Sequence, residues 1–397
     1  EKSGRNFLWI DTGALADGFM PRLDISGTDA EMYEGTFFGM VPLNGKLYLL
    51  SELDIADPKE SGSTVWSRDM GKTSAWKRVN DVPVNRYTLG NADMSVEKCS
   101  TVMAYQGMIV FALDCLEPVT ETCVTYIVTV DPETGKVTTS PAARENYPAE
   151  AMYLGVVSLG EKLAYIRTWE DAGSEVVSEI SLFAVTENGT LSRKATHVES
   201  DKAIFADAIY QEDGTFLAGG ISEEGEAVQQ GLFRFTVTEE ICSCELVTEK
   251  QYHMTDDVKD PDSQEASYLT TPLKNALIST GIRDNIGSDT YIFAELSAEG
   301  TVTPDPLCVD TAKLQNFAAA AADGKYYVLA QTRNGSEEGR CILCCQDLAE
   351  LGLSTIKNPG DTEKPVPPGP TPTPGPVYGG GGGTVTTNGL AYSKFWV

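Results

Sequence analysis

Ser67-Arg68-Asp69-Met70-Gly71-Lys72-Thr73-Ser74-Ala75-Trp76 decides how this chain is read. Serine, aspartate, glycine and threonine alternate along the segment, and a tryptophan closes it. This is the chemistry of a tight turn between two strands. The Asp69 carboxylate is suited to accept backbone N–H bonds within the turn. Gly71 supplies a positive φ, and Thr73 and Trp76 open the next strand and anchor it. Such a segment fixes a corner of a β-structure; it does not mark a catalytic site.

Outward from this corner, a unit recurs: an apolar strand of small residues, a tight turn, a second apolar strand, a polar loop, a third strand, a turn and a fourth strand. The first turn falls at Asn44-Gly45, Gln106-Gly107, Leu159-Gly160, Asp213-Gly214, Lys274-Asn275 and Asp323-Gly324. The spacing, roughly 50 to 60 residues, suits propeller blades. The second strands are continuous apolar runs such as Leu47-Tyr48-Leu49-Leu50 and Met108-Ile109-Val110-Phe111, which suit strands covered on both faces. The strands before the turns carry Gly39, Ala104, Gly155, Ala206 with Ala208, and Ala318 to Ala322, as expected where inner strands converge on a channel. By propensity the alanine run also suits a helix; its place before Asp323-Gly324 favours a strand. Third strands are expected at 63–67, 124–130, 180–185, 232–237, 290–296 and 341–345, and the last fourth strand at 354–357.

The pattern Ser67-x-Asp69-x-Gly71-x-Thr73 resembles the Asp-box of sialidase-type (BNR) repeats, although that family usually places Trp directly after Thr and here Ser74 and Ala75 intervene before Trp76. The resemblance implies a turn between the two outer strands of a propeller blade. Asp131-Pro132-Glu133-Thr134-Gly135-Lys136 looks like an eroded copy. Gly45-Lys46-Leu47-Tyr48, Trp76-Lys77-Arg78-Val79 and Gly219-Gly220 are similar to parts of a Kelch repeat. Together these point to an all-β fold, a β-propeller of six blades with four antiparallel strands each, over residues 1–358. Asn6 to Asp11, an apolar strand without a blade, is expected to close the ring against the last blade.

Residues 359–383 are rich in Pro, Thr and Gly and read as an extended spacer ending in a flexible joint, with 384–397 a short tail. Pro/Thr spacers of this kind resemble those of exported bacterial domains, which implies an extracellular or cell-surface location. Glu1 stands first with no charged-then-apolar leader after it, as expected of a mature or trimmed chain. The net charge is −28, with 58 acidic residues against 30 basic. Such a surface repels nucleic acid and anionic membrane. No apolar run is long enough for membrane insertion.

Nine cysteines are present. Buried free thiols or one disulfide are expected, and Cys115 and Cys123, which flank one acidic loop, are the candidates to bridge its strands. Cys341-Ile342-Leu343-Cys344 has a metal-like spacing, but on a strand its ends point to opposite faces, and His197 and His253 stand elsewhere; no metal site is expected. Calcium is a weak candidate at Asp256-Asp257, Asp260-Pro261-Asp262 and Asp284 to Asp289, and no other cofactor is indicated. A sialidase-like enzyme needs three converging arginines, a tyrosine–glutamate pair and an aspartate at the channel mouth. Neither Pro21-Arg22 nor Asn85-Arg86-Tyr87 matches its N-terminal motif. Arg144, Arg167, Arg193, Arg234, Arg283, Arg333 and Arg340 follow no converging pattern. No catalytic residues are therefore assigned. The expected function is a non-catalytic binding or scaffold module for a protein or carbohydrate ligand. Tyr33, Trp66, Tyr87, Trp169, Tyr252 and Tyr268 are its candidate contacts. The alternatives are a sialidase-like glycan hydrolase and a structural surface spacer.

Overall fold

The computed structural model describes residues 23–24, 36–53, 56–70, 76–142, 146–186, 190–200, 202–212, 214–224, 227–248, 266–267, 273–274, 276–283, 288–295, 307–310, 314–332, 341–347 and 354–355. Residues divide into a compact unit, Glu1–Glu363, and a second unit, Lys364–Val397, which lies outside the described residues.

The described residues form a β-propeller, all-β, built of antiparallel sheets in chain order. The first sheet holds Phe37–Leu43, Lys46–Leu53, Gly62–Asp69 and Lys77–Arg78. The second has Ser95–Cys99 and Met103–Tyr105 on one side of Met108–Glu117, then Thr122–Val130 and Val137–Pro141. The third is Tyr153–Leu159, Lys162–Glu170, Val176–Val185 and Leu191–Ser200, and the fourth Lys202–Glu212, Thr215–Glu224, Ala227–Val237 and Cys242–Thr248. The fifth is centred on Ala276–Arg283, Ser288–Glu295 and Leu307–Asp310; the sixth holds Leu314–Ala322, Lys325–Thr332 and Cys341–Asp347.

The inner strands of successive sheets lie side by side, from Leu314–Ala322 to Phe37–Leu43 and on through the second, third and fourth sheets to the fifth. This crowding explains the small residues. A Cβ at Gly39 would stand 3.1 Å from the Val102 nitrogen of the neighbouring sheet. The alanine run is strand, as its position demanded. Among the described residues, the inner strands of the first, second, third, fourth and sixth sheets end in turns with positive φ, for example Asn44 at 50° followed by Gly45 at 75°, the pairing that matches strand twist.

The core consists of apolar layers between successive sheets. Trp76, Trp66 and Leu49 of the first sheet meet Ala318, Tyr327 and Leu343 of the sixth. Phe111, Leu113 and Val128 of the second meet Tyr48, Leu50 and Val65 of the first. Each fully buried side chain of this kind contributes about 1.5–3 kcal/mol relative to exposure.

One expectation, the outer strand at 354–357, needs correction. Ser354–Thr355 is not the outer strand of the sixth sheet but pairs with Leu273–Lys274 of the fifth. The segment pairing with the sixth sheet is Leu23–Asp24, against Leu343 and Ile342; Asn6 to Asp11 lies outside the described residues. Cys115 and Cys123 are both free thiols. Cys115 pairs with Val124 and Cys123 with Leu116, so the register is offset by one and the two sulfurs point to opposite faces.

Candidate functional site

An inner propeller strand has one ladder edge free, facing the axis. An extra residue inserted there costs few hydrogen bonds and is carried on that free edge. The inner strands use this device repeatedly. The register slips between Phe37 and Gly39 in the first sheet, between Val96 and Lys98 in the second, between Phe205 and Ile209 in the fourth and between Gln315 and Ala318 in the sixth. The slips of the first, second and sixth sheets lie in the half of the strand remote from its hairpin turn, and so toward one mouth of the channel; that of the fourth, opposite Ala218 and Gly219, lies nearer its turn. The extra residue of the second sheet is Glu97, and Asp207 lies within the slip of the fourth.

Glu97 is exposed and accepts a hydrogen bond from the Ser95 hydroxyl. On the third sheet between them, the inner strand begins at Tyr153, whose ladder partner is Thr168. Thr168 lies as far beyond Gly160 as Cys115, partner of Val96, lies beyond Gly107, so Tyr153 and Glu97 stand at nearly the same height. The Tyr153 ring packs at 4.7 Å against Phe205 of the fourth sheet. Lys98 spans the gap: its ammonium donates to the Met152 carbonyl and lies 5.6 Å from the centre of the Tyr153 ring. Val96 and Met152, both 40 % exposed, complete an apolar and aromatic rim.

Beneath this rim, between the second and third sheets, is a polar cluster sealed from water. Asp114, Tyr147, Tyr165, Arg167 and Glu179 are each 0 % exposed. Asp114 Oδ1 accepts from Thr125 Oγ1 at 2.6 Å and Arg167 Nε at 3.2 Å, and Oδ2 from Arg167 Nη2 at 2.9 Å and the Ala151 amide at 2.8 Å. Tyr147 donates to Glu179 Oε1 at 2.8 Å, and its ring lies 4.0 Å under the Arg167 guanidinium. Burial, then the Glu179 charge, holds the Tyr147 phenol far above its ordinary range. Burial acts likewise on Tyr165. A phenol held neutral and enclosed is a donor in a network, not a nucleophile.

The cluster contains a tyrosine–glutamate pair, an arginine and an aspartate, the residue types of a sialidase site. It lacks that site's geometry. Among the described residues only Arg167 of the candidate arginines faces the pair, and no member reaches solvent. Arg234 is on an outer position near Glu245 at 3.9 Å. Arg144, Arg333 and Arg340 lie outside the described residues.

Of the aromatic candidates, Trp66 is core and donates from Nε1 to Ser51 Oγ at 2.9 Å. Trp169 is core too, edge-on to Tyr147. Tyr87 is half-buried beside Arg86 and Lys59. Tyr33, Tyr252 and Tyr268 lie outside the described residues, as do Asp256, Asp257, Asp260 and Asp262. Among the described residues no group of three or more His, Cys, Asp or Glu is placed to hold a metal ion.

Of the turn segment, Ser67 pairs with Lys77 across the third and fourth strands of the first sheet, so the turn joins the two outer strands. Trp76 is 2 % exposed in the layer against the sixth sheet. Gly71 and Thr73 lie outside the described residues. The eroded copy shows the turn chemistry itself: Asp131 Oδ1 accepts from the Glu133 and Thr134 amides at 2.9 and 3.2 Å, and Gly135 has φ 68°. Tyr153, Phe205, Glu97 and Asp207 were missed by sequence reading, because a bulge is a property of two paired strands.

No protein-family model matches the sequence, and no curated protein matches it. Among solved structures, an α-L-arabinofuranosidase from Fusarium graminearum aligns at 10 % identity over 84 % of this chain and 99 % of its own, with a TM-score of 0.49. The endosialidase of phage phi92 aligns at 8 % identity over 89 % of this chain and 72 % of its own, TM-score 0.49. The NanB sialidase from Streptococcus pneumoniae aligns at 9 % identity over 84 % and 71 %, TM-score 0.48. All three are glycan-cleaving enzymes by name, a finding that stands against the expectation of a non-catalytic binding or scaffold module; at these identities the likeness itself is one of fold.

Proposed function

We propose that this propeller is a glycan-active hydrolase, sialidase-like in its fold, that works through carboxylates at the inner-strand rim. The observation that carries the proposal is Glu97, an exposed carboxylate standing as the extra residue of an inner-strand bulge beside the Tyr153–Phe205 pair. Glycosidic cleavage commonly uses two carboxyl groups flanking the bond, one protonating the leaving oxygen and the other attacking or activating water. Glu97 is proposed as one of these two groups. The aromatic pair on the same rim offers an apolar face of the kind that lines small-molecule sites. In this proposal Ser67–Trp76 is an Asp-box that fixes a corner away from the chemistry, and the protein acts outside the cell or at a bacterial surface.

The test is turnover of a panel of chromogenic glycosides containing sialosides, arabinofuranosides and common hexosides. Wild-type protein is expected to cleave at least one. Glu97→Gln is expected to lose about 10²–10⁴-fold in turnover, the usual contribution of a positioned acid or base. A panel with no cleaved member, or a Glu97→Gln protein that works at the wild-type rate, rejects the proposal.

A further inference from the structure

We infer that the sealed Asp114–Arg167 pair is a positioning device that holds the two halves of the rim in register. Its kinetic consequence rests on the hydrolase reading; its structural consequence does not. Asp114 is the ladder partner of Lys98, the residue directly after the extra Glu97. Its other side holds the third sheet: Oδ2 takes the Ala151 amide at 2.8 Å, and Arg167 Nη2 reaches the Ala149 carbonyl at 2.6 Å. Ala149 to Ala151 run straight into Met152 and Tyr153, and the Met152 amide donates to the Thr168 carbonyl at 2.7 Å. Arg167 is itself the ladder partner of Leu154. One ion pair thus ties the bulged strand carrying Glu97 to the connector that delivers Tyr153. On the rim side, the Lys98 bond to the Met152 carbonyl closes the same loop.

Stability alone does not account for the pair. Replacing a wholly desolvated ion pair by apolar residues of similar volume is often neutral or stabilising, because the desolvation cost offsets the attraction. What apolar packing lacks is direction. A bidentate guanidinium–carboxylate contact fixes distance and angle together. A displacement of about 1 Å in a catalytic constellation can cost about 100-fold in rate.

The test removes both charges of the pair at once, in a double variant Asp114→Leu/Arg167→Met built on a Glu179→Gln background, so that no carboxylate is left buried without a cation. Three quantities are read on the full chain: the urea unfolding midpoint, amide hydrogen exchange in the peptides covering 95–99 and 146–153, and kcat and KM on whichever chromogenic glycoside the wild type cleaves. The expected result is a folded protein with its midpoint near wild type, faster exchange in both peptides, and kcat reduced at least about 10-fold with a smaller change in KM. Wild-type exchange in both peptides of a folded double variant overturns the inference, as does unaltered kcat. Should the double variant not fold, Arg167→Lys takes its place. It keeps the charge but lacks the fork that meets Asp114 and Ala149 together, so faster exchange at 146–153 is expected, and unchanged exchange overturns the inference. If the wild type cleaves no glycoside, the hydrolase reading fails while the exchange measurement still decides on the pair.

Discussion

The cluster of Asp114, Tyr147, Arg167 and Glu179 is closed to water, whereas Glu97, Lys98 and Tyr153, on and beside the strand paired to Asp114, meet it. The two regions hold the same kinds of side chain: a carboxylate, a cation and a tyrosine. Burial between sheets assigns them different work. In the cluster every charge has given up its hydration and must be repaid by directed partners, so the residues depend on one another. At the rim water satisfies what the protein does not, so these side chains depend less on one another.

The largest effect that tests this contrast is on stability. Arg167→Ala leaves the Asp114 carboxylate buried without its cation, beside a second buried carboxylate at Glu179, and is expected to cost about 3–5 kcal/mol. Glu97→Gln at the rim is expected to stay within about 0.5 kcal/mol. Urea denaturation of the two variants side by side measures both. Equal losses would mean that the rim is as tightly interlocked as the cluster and would break the comparison.

A smaller effect sharpens the same point with one residue type. Gly135 and Gly214 both have left-handed backbones, at φ 68° and 79°. A Cβ at Gly214 meets nothing within 4 Å, while one at Gly135 would stand 2.3 Å from the Val79 carbonyl oxygen of the neighbouring sheet. Gly214→Ala is expected to cost about 1–2 kcal/mol, the left-handed penalty alone. Gly135→Ala must also push two sheets apart, and overpacking adds typically about 1–3 kcal/mol. Similar unfolding midpoints for the two variants would show that the turn at 131–136 yields without disturbing its neighbour.

Most of the frame was legible in the chain because its causes are local. Asn44-Gly45, Gln106-Gly107 and Asp323-Gly324 announce hairpins, since adjacent positive φ values select those residues, and the structure has them there. Small residues at Gly39, Ala104 and Ala318 to Ala322 announce the inner strands because crowding is read from side-chain size. The site was not legible because its causes are relational. Ser95-Val96-Glu97-Lys98 looks like any polar approach to a strand; only its pairing with Leu116, Cys115 and Asp114 reveals that Glu97 is supernumerary. Tyr147 and Glu179 meet through packing of a connector against a distant strand, which no spacing encodes. The sequence left free thiols and one disulfide equally open for the same reason: loop length brings Cys115 and Cys123 close, and only the one-residue offset of their strands turns them apart and leaves them free.

The smallest effect is a gradual one with pH, and it comes from the sealed side alone. Burial, with Asp114 adding to it, pushes the Cys115 thiol up to about 12 from its ordinary 9.0. Burial, again followed by Asp114, pushes Cys123 to about 11. Burial takes the Tyr105 phenol to about 12. Below about pH 9 these groups are protonated in both folded and unfolded chains, so they contribute their full share to stability. As pH rises further, the unfolded chain releases protons that the folded one still holds, and stability falls towards about pH 12. The urea midpoint is therefore expected to be lower at about pH 10.5 than at about pH 7.5, where only the protonated forms count. Alkylation gives the matching kinetic readout: Cys115 and Cys123 should resist iodoacetamide at about pH 8 in the native protein and react once urea is added, because the thiolate is the reactive form. Rapid native alkylation of Cys115 would show the layer between the first and second sheets opening to water, and of Cys123 the layer between the second and third, which would break the premise that burial separates the cluster from the rim.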